Sequence, residues 1–459
     1  MGHQDKTINI DWLKNKAVES TLRPMSSQDE KNNDLPTIIH RGEGVFITDV
    51  DGNKMLDCVG GLWCVNTGYG RQEIISAMEK QLQTLSYSSI FPGSANPASI
   101  ELSEYICDIA KEENIKRVFY GSNGSDAVEN AFKIARQYWK IVGKPEKYKF
   151  LSLRGGYHGT HFGGMSANGL GGDFRRVYEP MLNGFMAMET FDSYRPLIPG
   201  ISDEDQVDLI IALMEREIEY QSPDTIAGLI AEPIQGGGGM HVPPNSYWLK
   251  MRALCDKYDI LFISDEVVTG FGRTGTMFGA RGWNVKPDIM CCGKGISGGY
   301  APLSATLIND RVASAWETQS DHSFVGAGYT HSGNPVSCAA GLAALKIVQR
   351  ENLPQNAKEV GSYFLDRMQE LVKKHETVGA VRGRGLMLCL EMVQDKESKA
   401  AFSHDDSYPK RVSEYCRRHG VWLRQVGHKF IISPPLTLTA EHVDMIVDVL
   451  DSAYSAVDR

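Results

Sequence analysis

Six short apolar runs between residues 117 and 309 constrain this chain more than any other feature: RVFYGS, KFLSL, TIAGLIAEP, ILFISDE, DIMCCGK and PLSATLIN. Segments with helical spacing precede or separate them, notably RQEIISAMEKQLQTL and SDAVENAFKIARQYWKIVG (125–143). Strands that are apolar on both faces belong in a mainly parallel sheet covered by helices on both sides. In such sheets ligands bind beyond the carboxyl ends of the strands. Several polar residues fall at those ends: Asn123, Tyr157, Glu232, Asp265 and Lys294. Their shared position weighs more than any one of them.

Lys294 ends a mostly uncharged run and is followed by glycines. An ammonium there loses hydration unless something consumes its charge. Imine formation is such a use, because desolvation lowers a lysine's pKa and frees the amine lone pair. Asp265 poses the same question with opposite sign, and a protonated pyridine nitrogen would answer it. A strand-end lysine can instead snorkel to solvent, and an aspartate can cap the next helix. Both bland readings must hold together for the site to vanish. The pair suggests pyridoxal phosphate.

The neighbouring motifs fit that suggestion. FYGSNGSDAVEN places Asn123, Gly124 and Ser125 at a strand–turn–helix junction, where backbone N–H groups bind anions. Taken alone it reads first as a helix cap. The absence of G-K-[ST] removes a P-loop. In GGYHGTHFG, Tyr157 can stack on a flat ring or simply pack beneath the glycines. His158 and His161 lack a third ligand nearby, so loop histidines are favoured over a metal site. In AEPIQGGGG, Glu232 can pair with an arginine or shape a pocket, and Gln235 can bond a ring hydroxyl. GFGRTG (270–275) matches a dinucleotide fingerprint but opens no amphipathic helix, so it reads as an active-site or interface loop.

Lys+Arg 48 against Asp+Glu 57 gives a net charge of −9, which argues against nucleic-acid binding as the main function. The nine cysteines form no CxxC pair and no Cys/His ligand spacing, so reduced thiols in a cytoplasm are expected and structural zinc is not. The N-terminus resembles no signal peptide, no run is long enough to span a membrane, and Lys6 breaks a myristoylation motif. GVFITDVDGNKMLDCVGG (44–61) reads as two strands around an Asp51-Gly52 turn. Beyond about 335, helices and short strands suggest a smaller α/β unit joined by those N-terminal strands.

ILFISDEVVTGFGRTG, PDIMCCGKGISGGYAPLSA, AEPIQGGGG and GYTHSGNPVSCAA (328–340) closely resemble the class III pyridoxal-phosphate aminotransferases. GLWCVNTGYG (61–70), RVFYGSNGSDAVENA, GGYHG and VWLRQVGHKFIISPPLTLT look like the omega-amino acid and amine:pyruvate transaminases among them. The resemblance runs from about residue 40 to the C-terminus. It implies an α/β, fold-type I architecture with a mainly parallel seven-stranded sheet in a large domain (66–335). A smaller α/β domain would come from both chain ends (1–65, with the N-terminal arm, and 336–459), and the enzyme would be a homodimer. Lys294 would carry the cofactor as an imine and shuttle the proton. Asp265 would pair with the ring nitrogen, Tyr157 and Val267 would face the two sides of the ring, and Gly124 and Ser125, preceded by Asn123, would bind the phosphate. Glu232 and His158 join the cofactor-binding set. Thr330 would reach the phosphate of the partner site, Trp63 would wall the substrate pocket with Tyr157, and Arg424 would receive a substrate carboxylate. Asn123 replaces a serine common in the family. Arg23-Pro24-Met25 stands where relatives often carry an aromatic or a His-Pro step, and Arg23 near the pocket mouth would favour anionic donors.

The expected activity is amino transfer from an amine or omega-amino acid to pyruvate, a keto-acid acceptor, by a ping-pong mechanism. The alternatives are a taurine- or diamine-specific aminotransferase, or a decarboxylase, racemase or aminomutase of the same fold. A cofactor-binding protein without activity would show losses at the key positions, and none is seen. No metal, nucleic-acid or membrane partner is expected.

Overall fold

The structure, a computed structural model, describes residues 9–26, 36–318, 320–403 and 406–457. The expected N-terminal pair is present. β1 (Ile39–Glu43), β2 (Phe46–Asp49) and β3 (Lys54–Asp57) form an antiparallel meander. Asp49 closes the turn between β2 and β3 by accepting from the backbone N–H groups of Asp51 and Asn53, while Gly52 takes the left-handed conformation (φ +88°) that a side chain would resist.

Seven strands make the central sheet: β4 (Ile115–Gly121), β5 (Lys149–Leu153), β6 (Phe185–Met188), β7 (Ile226–Ala231), β8 (Leu261–Asp265), β9 (Ile289–Cys292) and β10 (Ser304–Asn309). Their order is β4-β10-β9-β8-β7-β5-β6. β7, β8 and β9 are buried along their whole length, as sheet strands covered on both faces must be. The reading from sequence missed β6, a four-residue edge strand that is only half-buried along its length. β10 runs antiparallel to both its neighbours, which brings its first residue, Ser304, opposite Gly121 at the end of β4.

The last five strands are β11 (Val378–Arg384), β12 (Met387–Met392), β13 (Val421–Trp422), β14 (Arg424–Val426) and β15 (Lys429–Ile432). β13 joins the N-terminal meander by pairing in parallel with β3, and the others form a four-stranded antiparallel sheet. Both chain ends therefore share one apolar core, in which Val45, Leu56 and Cys58 pack with Leu388, Phe430 and Leu450. The N-terminal arm is a helix, Ile10–Glu19, capped by Asn9. Arg23 lies in the turn after it, where its carbonyl accepts from the Ser26 hydroxyl.

Candidate active site

The carboxyl ends of β4, β5, β7, β8 and β9 point the same way, and the residues singled out there surround one cleft. After β4 the chain turns into the helix Gly124–Ile141 through a reciprocal cap. Asn123 Oδ1 accepts from the Asp126 N–H (3.1 Å), and Asp126 Oδ2 accepts from the Ser122 and Asn123 N–H groups. That cap commits the Asn123 side-chain oxygen to the helix and leaves only its Nδ2 to face an anion. Asp126 is itself held by His161 Nε2 at 2.8 Å, so His161 serves the helix start. The N–H groups of Gly124 and Ser125 have no acceptor among the described residues, while Ser125 Oγ accepts from the Thr160 N–H.

Val267 closes on this helix end. A methyl group added at Gly124 would lie 2.7 Å from Val267 Cγ1, and one added at Gly293 would lie 3.4 Å from the same atom. Glycine is required at 124, where helix end and Val267 meet, whereas a side-chain carbon at 293 would reach only contact distance. Asp265, 3% exposed, ends β8. Its Oδ1 accepts from the Val267 N–H (3.1 Å), and its Oδ2 lies 2.8 Å from Nδ1 of the fully buried His158. His158 Nε2 has no partner among the described residues. His158, placed in the cofactor-binding set by the family resemblance, thus orients Asp265 across 107 positions of chain. No spacing rule could have revealed that pair.

Glu232, directly after β7, pairs with no arginine among the described residues. It accepts instead from the N–H of Tyr157 (2.9 Å) and of Gly236 (2.8 Å), fixing the aromatic loop to the glycine loop. Burial, opposed by His158 and reinforced by Asp265, pushes its carboxyl up to about 7. Gln235 Nε2 donates to the Arg154 carbonyl (2.8 Å), so it too ties loop to loop. Tyr157 is half-buried, edge-on to Phe174 at 6.5 Å.

Lys294 follows Gly293 beyond β9 with a left-handed backbone (φ +43°), a conformation costly for a residue with a side chain and frequent where function overrides it. Its Nζ has no hydrogen bond or ion pair among the described residues. Burial holds the ammonium below the ordinary lysine range, and Arg424 pushes the same way against Cys64, Asp265 and Glu232. Arg424, first residue of β14, is half-buried and equally without an acceptor among the described residues; burial lowers its pKa as well. Trp63 is 3% exposed and shares an apolar cluster with Leu153, Met387 and Ile431. Thr330 stands apart. It is exposed, its carbonyl accepts from the Tyr87 hydroxyl (2.8 Å), and within one chain no hydrogen bond links it to the cleft.

The GFGRTG loop is a brace. Arg273, fully buried, donates to the carbonyls of Leu386 and Pro434 and to Asn66 Oδ1 (2.8 Å). Asn66 in turn packs on Gly295, next to Lys294. These two residues carried no signal in the sequence beyond the loop's glycines.

The cleft therefore offers two free amide donors at a helix start, an apolar wall, an aromatic ring, a buried carboxylate fixed by histidine and a lysine without a partner. This donor set fits pyridoxal phosphate, with its anionic group, flat ring and basic ring nitrogen. Among the described residues no three His, Cys, Asp or Glu side chains gather as a metal site, and no helix is long and apolar enough to cross a membrane.

Residues 27–454 match the aminotransferase class-III family. The putrescine–pyruvate aminotransferase of Pseudomonas aeruginosa is 35% identical over 451 residues, covering 95% of each chain. The diaminobutyrate–2-oxoglutarate transaminase of Halomonas elongata is 37% identical, covering 94% of this chain and 92% of its own. Among solved structures, a PLP-bound amine transaminase from an uncultivated Pseudomonas species superposes with a TM-score of 0.93 at 44% identity, covering 96% of this chain and 99% of its own. An (S)-enantioselective omega-transaminase from Thermomicrobium roseum superposes with a TM-score of 0.93 at 36% identity, covering 98% and 99%.

Proposed function

Because the chain belongs to the class III aminotransferases, enzymes of fold-type I that use pyridoxal phosphate, we propose that it moves the amino group of an amine or omega-amino acid to pyruvate in a ping-pong exchange. The observation that carries this choice is Arg424. A half-buried guanidinium beside Lys294 with no carboxylate of its own among the described residues is a receptor for the substrate's carboxylate. Relatives named for amine and putrescine donors support the donor class.

The bound cofactor supplies an electron sink for negative charge developing at the donor Cα. The protein does the rest. Gly124 and Ser125 would present amide hydrogens to its phosphate, Val267 and Tyr157 would confine its ring, and Asp265, oriented by His158, would hold a proton on the ring nitrogen. Lys294 Nζ, kept toward its neutral form by burial, would hold the cofactor and would be the base for the Cα proton. Arg424 and Trp63 position the substrate.

The same reading makes the enzyme a homodimer. Thr330 faces outward amid exposed apolar side chains, with Phe324 80% and Phe91 46% exposed, and a second copy covering them would bring Thr330 to its phosphate site. The domains divide at 65/66 and 335/336, with the helix Pro335–Arg350 connecting them against the turn Lys294–Ser297. Nine unpaired cysteines fit a cytoplasmic enzyme. A donor screen covering β-alanine, taurine, putrescine and phenylethylamine, run with pyruvate and with 2-oxoglutarate, tests the assignment. Turnover with pyruvate and at least one amine or omega-amino donor supports it. Turnover confined to α-amino acids and 2-oxoglutarate, or none with the cofactor loaded, refutes it.

A further inference from the structure

Four successive residues, Gly60, Gly61, Leu62 and Trp63, have φ between +55° and +70° and form one left-handed helical turn. Glycine accepts this conformation readily, but Leu62 and Trp63 do not, because each sets its Cβ against its own carbonyl. Something must hold the turn. Asp57, 1% exposed, does so with every lone pair it can offer. Its Oδ1 accepts from the N–H of Val59 (2.8 Å) and Gly60 (3.0 Å), and its Oδ2 accepts from the N–H of Gly61 (2.9 Å) and from the Tyr69 hydroxyl (2.7 Å). Ser433 clamps the same segment from the other chain end, its N–H donating to the Cys58 carbonyl (2.7 Å) and its hydroxyl to that of Val59 (3.0 Å). A methyl group on Gly60 would strike the Ser433 carbonyl.

The far end of the turn meets the active site. Cys64 Cβ lies 3.3 Å from where a Cβ of Gly299 would be, on the segment that carries Lys294. Trp63 is buried between the central and C-terminal sheets. We propose that Asp57 is a positioning residue for donor selectivity: its four hydrogen bonds hold the left-handed turn that sets Trp63 and Cys64 over the amine-transfer site. The proposal rests on the reading of Trp63 as a wall of the substrate pocket. Asp57 touches no reacting atom. It acts through the place it gives Trp63.

The test compares the holoenzyme with Asp57→Asn, Trp63→Ala and the double variant, each with pyruvate as acceptor. The readout is kcat/KM for phenylethylamine divided by kcat/KM for propylamine, which a loss of folded enzyme does not move. Trp63→Ala should raise this ratio, and Asp57→Asn should raise it about tenfold, since small misplacements near a reaction centre have effects of that order or more. In the Trp63→Ala background, Asp57→Asn should change it less than about twofold, because residues acting as one unit are non-additive. An unchanged ratio in Asp57→Asn while Trp63→Ala shifts it, or equal effects in both backgrounds, overturns the role of Asp57 alone. If Trp63→Ala shifts nothing, the wall reading falls and takes the proposal with it. Should Asp57→Asn fail to fold, Tyr69→Phe removes one of the four donors and must shift the ratio in the same direction by a smaller factor.

Discussion

Asp265 and Glu266 are adjacent in the chain and both buried, yet they belong to different regions of the molecule. Glu266 faces the scaffold. The N–H groups of Gly279 (2.7 Å) and Ala280 (2.8 Å) and the hydroxyls of Thr269 (2.5 Å) and Ser264 (3.2 Å) all donate to it. Asp265 faces the cleft with one histidine and one N–H. The cations divide the same way. Lys147, 2% exposed, donates to three carbonyls, and Arg273 to two carbonyls and an amide. Lys294 and Arg424, on the cleft side, have no partner among the described residues. Buried polar groups are normally satisfied, so burial does not distinguish a site from its support. The unfilled hydrogen-bonding capacity of the cleft does, and it is complementary to what a cofactor and a substrate bring.

Substitutions on the two sides should therefore fail in different ways. The largest rate effect is expected at Lys294. Lys294→Ala should fold and lose at least about a thousandfold in kcat, combining general-base and covalent roles, whereas Lys147→Met should lower stability by about 1–3 kcal/mol with kcat little changed; steady-state kinetics beside urea unfolding separates them. Next, Asp265→Asn should cost about a hundredfold or more in kcat, as loss of a preorganised charge at a reacting group does. Glu266→Gln should instead cost about 1–3 kcal/mol in stability, because an amide cannot accept from all of those donors. Equal rate losses at 265 and 266 would erase the distinction between the regions.

Arg424→Ala should raise KM for pyruvate and for β-alanine by about tenfold to a hundredfold, the usual worth of a charged hydrogen-bonded pair. KM for an uncharged amine donor should stay within about twofold, so parallel KM measurements on both donor types decide the point. The last effect concerns Glu232, which spans both regions. Its carboxyl is raised in the folded state to about 7, so it ionises in the unfolded chain first. The wild type thus loses stability as pH rises from about 4.5 to 7 and no more above that, by up to about 3 kcal/mol. Glu232→Gln lacks this dependence, so its stability relative to wild type should improve between pH 5 and pH 8. Parallel unfolding curves at the two values would contradict this.

The strand ends of the cleft were legible in the sequence because a charged residue that ends an apolar run loses hydration and calls for a partner. Asp265, Lys294 and Glu232 were readable on that ground, and the turn at Gly124 from its place between a strand and a helix start. The edge strand β6 is apolar but only four residues long, too short for periodicity to mark it as a strand. The pairing of His158 with Asp265 and the brace of Arg273 on Asn66 join residues far apart in the chain, which periodicity does not encode. Trp63 and Arg424 were reached only through the family resemblance, for their neighbours are unremarkable. Left-handed backbone at Leu62 and Trp63 runs against the preference of both residue types, so no propensity could have indicated it.

The central claim is that the cleft transfers an amino group through Lys294, and the half-reaction tests it most directly. Holoenzyme given an amine donor without keto acid should lose the yellow colour of its bound cofactor once per active site, and pyruvate should restore it. Lys294→Ala, loaded with cofactor, should do neither at a comparable rate. Bleaching and recovery at wild-type rates in that variant, or a wild-type enzyme that releases product from donor alone without bleaching, would contradict the account.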